Sequence, residues 1–234
     1  MTHSRDWRIR SAGRPGHCSR GVSMSQPDTK VKILDAAEKL FAADGFHATS
    51  LRAITSNAGV NLAAVNYHFG SKEELLEAVI ERRLTPLNRR RAEMLDAELA
   101  AAAAEGRRPD PRQVLRALVE PTIELREQGE GPEHFITLVG RILADPRGVG
   151  RDIFLRRMEP FILRLFETMH QALPHLSMST LSWRMHFAVG SLSHVMRCHD
   201  RCQDLPPGLL PGMKTVRLAD LLLDYTLAGM EAPE

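Results

Sequence analysis

Residues 49–72 of this 234-residue chain read TSLRAITSNAGVNLAAVNYHFGSK. Apolar spacing predicts one short helix over residues 51–58 and a second over residues 62–68. Gly59 stands between them, where a residue that tolerates positive φ suits a tight turn. Two short helices joined by such a turn are typical of a helix-turn-helix, although an ordinary αα-hairpin gives the same pattern.

Residues that favour helix N-termini support these boundaries. Either Thr49 or Ser50 can cap the first short helix, and Asn61 can cap the second. Ser71 is followed three residues later by Glu74, which is the spacing of a capping box. The sequence therefore predicts that a further helix follows directly.

The chain divides into three parts by composition and periodicity. Residues 1–27 are rich in Arg, Gly and Ser, and we interpret them as a disordered basic tail or as a mis-annotated start upstream of Met24. Residues 28–85 form the predicted helix-turn-helix domain. Residues 86–234 form a second helical domain, and Pro86 suits either the first turn of a new helix or a kink.

No alternating strand pattern of any length interrupts the helical periodicity, so the predicted fold class is all-α. Loops rich in Gly and Pro separate the helices of the second domain. The predicted segments lie near residues 87–104, 112–127, 133–144, 148–172, 178–199 and 212–230.

Composition excludes several classes of protein. Apolar residues make up 43% of the chain and charged residues 26%, which is ordinary for a globular protein. Three Cys without disulfide spacing fit a reducing compartment, and no apolar run is long enough to span a membrane. A cytoplasmic protein with no membrane partner is therefore expected.

The side chains of the predicted second short helix suit a helix that recognises bases in the major groove of DNA. Small side chains would let it enter the major groove, Asn can hydrogen-bond base edges, and Tyr and His suit phosphates. The residues expected on its exposed surface are Asn61, Leu62, Ala63, Ala64, Asn66, Tyr67 and His68.

Residues 33–80 resemble the N-terminal domain of TetR-family repressors. The resemblance rests on a first helix followed by TSLRAI, AGV and YHFGSKEEL, a long and specific series of motifs. It implies that two-fold symmetric copies bind palindromic operator DNA. It also implies a larger C-terminal domain that dimerises and binds an effector.

The resemblance carries the family's roles to matching positions. Thr49 and Ser50 match phosphate contacts at the start of the second helix, and Lys72 matches a phosphate-binding lysine. Arg52 matches a position that can reach a base, as do residues 61–64 and Asn66. Tyr67 and His68 match phosphate contacts at the end of the recognition helix.

Two stretches extend the resemblance towards one branch, the PsrA-like regulators that respond to fatty acids or acyl derivatives. They are residues 60–75, VNLAAVNYHFGSKEEL, and residues 181–196, LSWRMHFAVGSLSHVM. This implies a small apolar effector that releases or modulates a repressor. Side chains that line an apolar cavity are of the same types as those of a plain core. The candidates are Leu118, Ile123, Phe135, Val139, Leu143, Phe154, Met158, Phe161, Arg184 and Phe187.

A charged head group on the effector would need a cationic partner. Arg141, Arg157, Arg184 and His186 could supply one, or they could simply be surface charges.

The predicted helices over residues 178–199 and 212–230 would form a four-helix bundle with their copies in a homodimer, as the family does. Small residues on the first would permit close contact, and large apolar residues on the second would supply buried area. These are Ala188, Gly190, Ser191 and Ser193 on the first helix, and Leu218, Leu221, Leu222, Tyr225 and Leu227 on the second.

Catalysis has little support in the sequence. Gly-rich phosphate loops, HExxH and CxxC motifs are lacking, so neither an enzyme nor a cofactor is expected. His194, Cys198 and Cys202 share one helical face and could bind a metal or sense oxidants, but packing thiols are the simpler interpretation, and no metal site is predicted. The alternative function is a helical lipid- or acyl-binding protein, or a small enzyme, with an incidental helix-turn-helix.

Overall fold

The computed structural model describes residues 26–145, 148–198 and 215–233, and these residues form helices without any strand. The predicted all-α fold class is confirmed. A first helix of 19 residues, two short helices, a long fourth helix and five further helices follow one another along the described ranges. They are α1 (Gln26–Asp44), α2 (Leu51–Ala58), α3 (Leu62–Phe69), α4 (Lys72–Glu105), α5 (Pro111–Glu124), α6 (Glu130–Ala144), α7 (Val149–Ala172), α8 (Met178–Cys198) and α9 (Thr215–Glu231).

Of the two alternatives predicted at Pro86, the start of a new helix is wrong, because no new helix begins there. The helix runs unbroken from Lys72 to Glu105 with Pro86 inside it. Proline removes one main-chain donor, a cost that tertiary packing can offset. Leu84 and Leu87 are both buried on either side of it, so packing holds the helix together across the proline.

The boundary before α6 is also shorter than predicted. The stretch from Gly129 to Pro132 was expected to separate two helices, but only Gly129 does so, with φ at +110°. Pro132 lies in the first turn of α6, where a helix has main-chain N–H groups without partners and loses little by having a proline. A 3₁₀ turn, Leu125–Gln128, ends α5.

A single hydrophobic cluster joins both halves of the chain. It extends from Ile33 in α1 to Met230 in α9. Helix α1 packs against α2, α3 and α4, as a helix-turn-helix requires, and also against α6 in the second half. A shift of α6 would therefore act directly on α1, against which the other N-terminal helices pack.

A buried carboxylate fastens α1 to α4. Glu38 is 1% exposed and accepts two hydrogen bonds from Arg83, both at 2.9 Å, and one from Arg82. The hydrogen bond with Glu38 raises the pKa of Arg83. Arg82 also pairs with Asp35 at 2.7 Å, so the joint contains two cations and two anions.

None of the helices in the described ranges combines the length and apolar character needed to cross a bilayer. Residues 1–25, which contain most of the predicted basic tail, lie outside the described residues.

Candidate functional site

The turn between α2 and α3 is built on Gly59. Its φ of +66° and ψ of +34° place it in the left-handed region, which favours glycine. Its N–H donates to the carbonyl of Ser56 at 3.4 Å, and the N–H of Val60 donates to Thr55 at 3.0 Å. These bonds end α2 abruptly, as the sequence predicted, and α3 begins three residues after Gly59.

Side-chain caps start both short helices where they were predicted. The Ser50 hydroxyl accepts a hydrogen bond from Ala53 N–H at 3.1 Å, and Asn61 Oδ1 accepts one from Ala64 N–H at 2.9 Å. Asn61 therefore has its oxygen committed to the cap. Only its amide N–H groups are left to donate to a base edge or a phosphate.

Thr49 was predicted to contact phosphate, and here the prediction is wrong for the side chain. Thr49 is 3% exposed, and its hydroxyl lies 2.8 Å from the carbonyl of Gly45 and 3.2 Å from that of Leu40. The hydroxyl closes the loop after α1 instead of facing outward. Because Ser50 caps α2, the Thr49 hydroxyl is not needed as a cap and can bond to buried carbonyls.

The outer surface of α3 has the composition expected of it. Tyr67 is 73% exposed and Leu62 41% exposed, whereas Val65 and Phe69 turn into the core. Arg52 is exposed on the neighbouring α2. The exposed α3 surface consists of Asn61, Leu62, Ala63, Asn66 and Tyr67, with Ala64 and His68 half-buried at its margin.

Lys72 begins α4 beside this surface. Ser71 and Glu74 form the predicted capping box, with bonds of 3.0 and 2.8 Å. The Lys72 ammonium lies 4.5 Å from the centre of the Phe46 ring. Both side chains are half-buried, and a solvent-accessible cation–π contact is worth only about 0.5–1 kcal/mol, so the ammonium could leave it for a phosphate.

A cavity of about 350 Å³ lies among α4, α5, α6, α7 and α8. Its size falls in the range of small-molecule sites, roughly 300–1,000 Å³. Most of the residues that line it are aliphatic or aromatic. Six of the predicted lining residues meet there: Leu118, Phe135, Val139, Leu143, Phe154 and Met158.

The other four predicted lining residues lie elsewhere. Ile123 and Phe161 are buried in the core without lining the cavity. Arg184 donates to the main-chain carbonyls of Met230, Ala232 and Pro233 at 2.6 to 3.1 Å. Phe187 is 63% exposed on the outer face of α8. Helical periodicity marks which residues are apolar, but it does not show which of two faces meets the cavity.

The remaining candidate anchors for a charged head group also lie outside the cavity. Arg141 donates to the carbonyl of Ala43 at 2.7 Å, and Arg157 pairs with Glu77 at 2.9 Å. The ring of His186 is exposed, edge-on to Trp183.

Arg91 is the charged residue that does line the cavity, and it is not among the residues predicted from the sequence. It is 4% exposed and donates to Asn88 at 2.9 Å and to Thr122 at 2.6 Å. Burial lowers the pKa of Arg91 to about 9, so the guanidinium is still charged at neutral pH. The available signal was its spacing of four residues from both Leu87 and Leu95, which puts it on the apolar stripe of α4.

Two family models together match most of the chain. Residues 33–79 match the model described as bacterial regulatory proteins, tetR family. Residues 116–229 match the model described as tetracyclin repressor-like, C-terminal domain. This chain belongs to the TetR family.

Curated relatives of this TetR-family chain are transcriptional regulators. The HTH-type regulator UidR of Escherichia coli K12 is 39% identical over 56 residues, which are 24% of this chain and 28% of UidR. SrpR of Pseudomonas putida is 38% identical over 69 residues, which are 30% of this chain and 32% of SrpR. The matched stretch therefore spans less than a third of either relative.

Solved structures share the fold over nearly the whole chain. The regulator FadR from Bacillus subtilis, in complex with stearoyl-CoA, has a TM-score of 0.64 and 14% identity, covering 85% of this chain and 98% of FadR. FadR from Bacillus halodurans has a TM-score of 0.65 and 14% identity, covering 88% of this chain and 97% of that one. At such identities the likeness shows the fold alone, and assignment to the PsrA-like branch stays a prediction.

Helices α8 and α9 of the TetR-family chain carry an exposed aromatic face. Trp183 is 61% exposed, Phe187 63% and Tyr225 71%. Gly190 and Ser191 line the shallow groove between them, in keeping with the predicted close approach of a second helix. Of the other small residues predicted for this face, Ala188 is buried and Ser193 lines the cavity.

On α9, Leu222 is 6% exposed and packs largely inward, but it also lines this groove. Cys202 and the side chain of Cys198 lie outside the described residues, so the thiol cluster is not addressed by the structure.

Proposed function

We propose that this TetR-family chain is a transcription regulator that binds operator DNA through α3. The observation that carries the proposal is the exposed α3 surface, where small and amide side chains stand beside Tyr67 on a helix-turn-helix fixed by Gly59. Such a helix can enter the major groove, where Asn reads adenine and Arg reads guanine. The regulatory names of the curated relatives support the same role, and regulation rather than catalysis is proposed.

We infer that the regulator works as a homodimer formed through α8 and α9. Exposed Trp183, Phe187 and Tyr225 would be covered by the same face of a second copy. Two recognition helices would then reach successive major grooves, about 34–36 Å apart, on a palindromic operator. A protein with chromosomal DNA as its target works in the cytoplasm.

The cavity is the proposed effector site. Its apolar walls suit a fatty acid or acyl derivative, and FadR of Bacillus subtilis, which shares the fold, has been crystallised with stearoyl-CoA. A Clostridium perfringens protein with the same fold is described as a putative fatty acid metabolism regulator. We propose that effector binding shifts α6 and α4 and releases the repressor from DNA.

Fluorescence anisotropy with a labelled duplex from upstream of its own gene tests DNA binding. The affinity should fall steeply with salt, because each neutralised phosphate releases counterions. Tyr67→Ala should weaken binding, whereas Arg89→Ala, which removes a charge from an exposed site on α4, should not. Retention of a fatty acid with no salt-dependent affinity for any duplex would instead fit the acyl-binding alternative.

A further inference from the structure

Arg91 is a charged group in a place where charge is costly. It lies in the wall of the effector cavity next to Leu87 and Met158, and 96% of its surface is removed from solvent. Taking an unpaired cation out of water costs several kcal/mol. We therefore expect a negatively charged partner that offsets the free-energy cost of burying this cation.

The neighbours of Arg91 supply hydrogen-bond acceptors but no negative charge. Its contacts are the amide oxygen of Asn88, the hydroxyl of Thr122 and the thioether sulfur of Met158. The Phe161 ring lies 4.9 Å from its guanidinium carbon. Within the described part of the chain, no carboxylate lies within ion-pair distance, and Nε has no hydrogen-bond partner.

The same neighbours hold the guanidinium in place. Thr122 is fixed by its own bond of 2.6 Å to the carbonyl of Leu118, and Asn88 by a bond of 3.2 Å to the carbonyl of Arg157. A cation held rigidly among neutral acceptors is prepared for an anion, because little ordering remains to be done on binding.

We propose that the effector is an amphiphile with a free carboxylate, which pairs with Arg91 inside the cavity while its hydrocarbon chain lies against the apolar walls. This inference rests on the proposed effector function and narrows it to one ligand chemistry. Carboxylates and guanidinium groups form strong, charge-assisted hydrogen bonds. The carboxylate would supply the negative charge that the described walls lack.

A neutral chain or a thioester would not meet this need. A fatty alcohol has no charge to offset that of Arg91. A coenzyme A thioester is uncharged at its acyl carbonyl, and its phosphates lie at the far end of a group too large for a cavity of about 350 Å³. Free acids should therefore be preferred over both at equal chain length.

Isothermal titration calorimetry with decanoic acid, decan-1-ol and decanoyl-CoA tests the inference. For the unaltered protein, the acid should bind more tightly than either of the other two. Arg91→Met should weaken binding of the acid by about 10- to 100-fold and leave the alcohol within about threefold, since a hydrogen bond to a charged group contributes roughly that much. Arg89→Met, which removes an exposed charge two residues away, should change neither affinity.

Arg91→Lys keeps a cation in the cavity and should retain the preference for the acid, which guards against a general effect of Met on folding. Circular dichroism of each variant checks the fold independently. Equal loss of acid and alcohol would mean that Arg91 only shapes the cavity, and the inference would be wrong. It would also be overturned if decanoyl-CoA bound best, or if none of the three probes bound.

DNA binding is measured separately on the same preparations. Acid binding that depends on Arg91 together with no affinity for any duplex would overturn the proposed regulator and leave the carboxylate site standing. Operator binding without Arg91-dependent acid binding would have the opposite meaning.

Discussion

Neighbouring residues at the start of α2 perform different tasks. Ser50 caps the helix, and Thr49 turns its hydroxyl inward to the carbonyls of Gly45 and Leu40. Both residue types are good N-caps, so the sequence could not choose between them. With Thr49 withdrawn, Ser50 and the first main-chain N–H groups of α2 are the groups left to meet a phosphate.

Base recognition and backbone binding should separate at the level of single residues. Arg52→Ala should reduce discrimination at one base pair by roughly 1–3 kcal/mol, because a bidentate base contact is lost. Tyr67→Ala should instead lower the affinity for every duplex by about the same factor, whatever its sequence, because it removes a contact to the DNA backbone. Competition binding against operator variants mutated one base pair at a time measures both effects, and a Tyr67→Ala protein with full affinity would contradict the proposed docking.

Arg91 shows which kind of residue sequence reasoning misses. A cap depends on a residue three positions away, so Asn61, Ser71 and Glu74 were predictable from local spacing. The role of Arg91 depends on Thr122 and Met158, which arrive from α5 and α7. Its spacing from Leu87 and Leu95 distinguishes Arg91 from the two arginines before it, but only the packing of those helices shows that it lines a cavity.

Among the elements, α6 has contacts that could link the cavity to the DNA-binding helices. Its residues Phe135, Val139 and Leu143 line the cavity, and the helix packs on α1. Arg141 extends from it to the carbonyl of Ala43 in the last turn of α1, at 2.7 Å. A cation at a helix C-terminus also stabilises the helix dipole.

Arg141→Ala should weaken the coupling between effector and operator. The decanoic acid affinity should stay nearly constant, because Arg141 does not line the cavity, while the loss of operator affinity on adding the acid should shrink several-fold. Anisotropy titrations with and without the acid measure this coupling. Undiminished release by the acid would show that the signal bypasses this contact.

The ion-pair joint between α1 and α4 should be a large contributor to stability. Glu38→Gln removes the carboxylate that both Arg82 and Arg83 contact, so that only the pair of Arg82 with Asp35 is left. It should lower the free energy of unfolding by roughly 1–3 kcal/mol, allowing for the partial exposure of both arginines. Urea denaturation measures the change. Glu93→Gln, in an exposed pair with Arg89, is the matched control and should cost about 0–0.5 kcal/mol.

The course of α4 could not be fully predicted, because two local signals conflict there. Pro86 disfavours a continuous helix, whereas Leu84, Leu87 and Leu95 continue the apolar stripe across it. Packing resolves the conflict in favour of one helix. The predicted start of α6 was wrong for a related reason, because Pro132 lies in the first turn of the helix, where a proline costs little stability.

On the scale of the whole molecule, the exposed aromatic face of α8 and α9 should decide the oligomeric state. Phe187→Asp should convert the dimer to a monomer, because a carboxylate would be buried unpaired in the interface. Leu155→Asp, at an exposed site on α7, is the control and should remain dimeric. Analytical ultracentrifugation gives the result, and a Phe187→Asp dimer would show that this face is not the interface.

Loss of the dimer should also remove most operator affinity, since one recognition helix reaches only one half-site.

The fold class and the order of helices were predictable because helical period and caps are local properties of the chain. The cavity and the proposed dimer face required the tertiary structure, because each combines faces of helices that lie far apart in sequence.

The central claim is that two copies of α3 enter successive major grooves of one duplex. Hydroxyl-radical footprinting on the DNA upstream of its gene tests this most directly. We expect two protected half-sites on one face of the DNA, related by two-fold symmetry, with centres about 10–10.5 base pairs or a multiple apart. Protection without this symmetry and spacing, or no protection at low salt, would contradict the account.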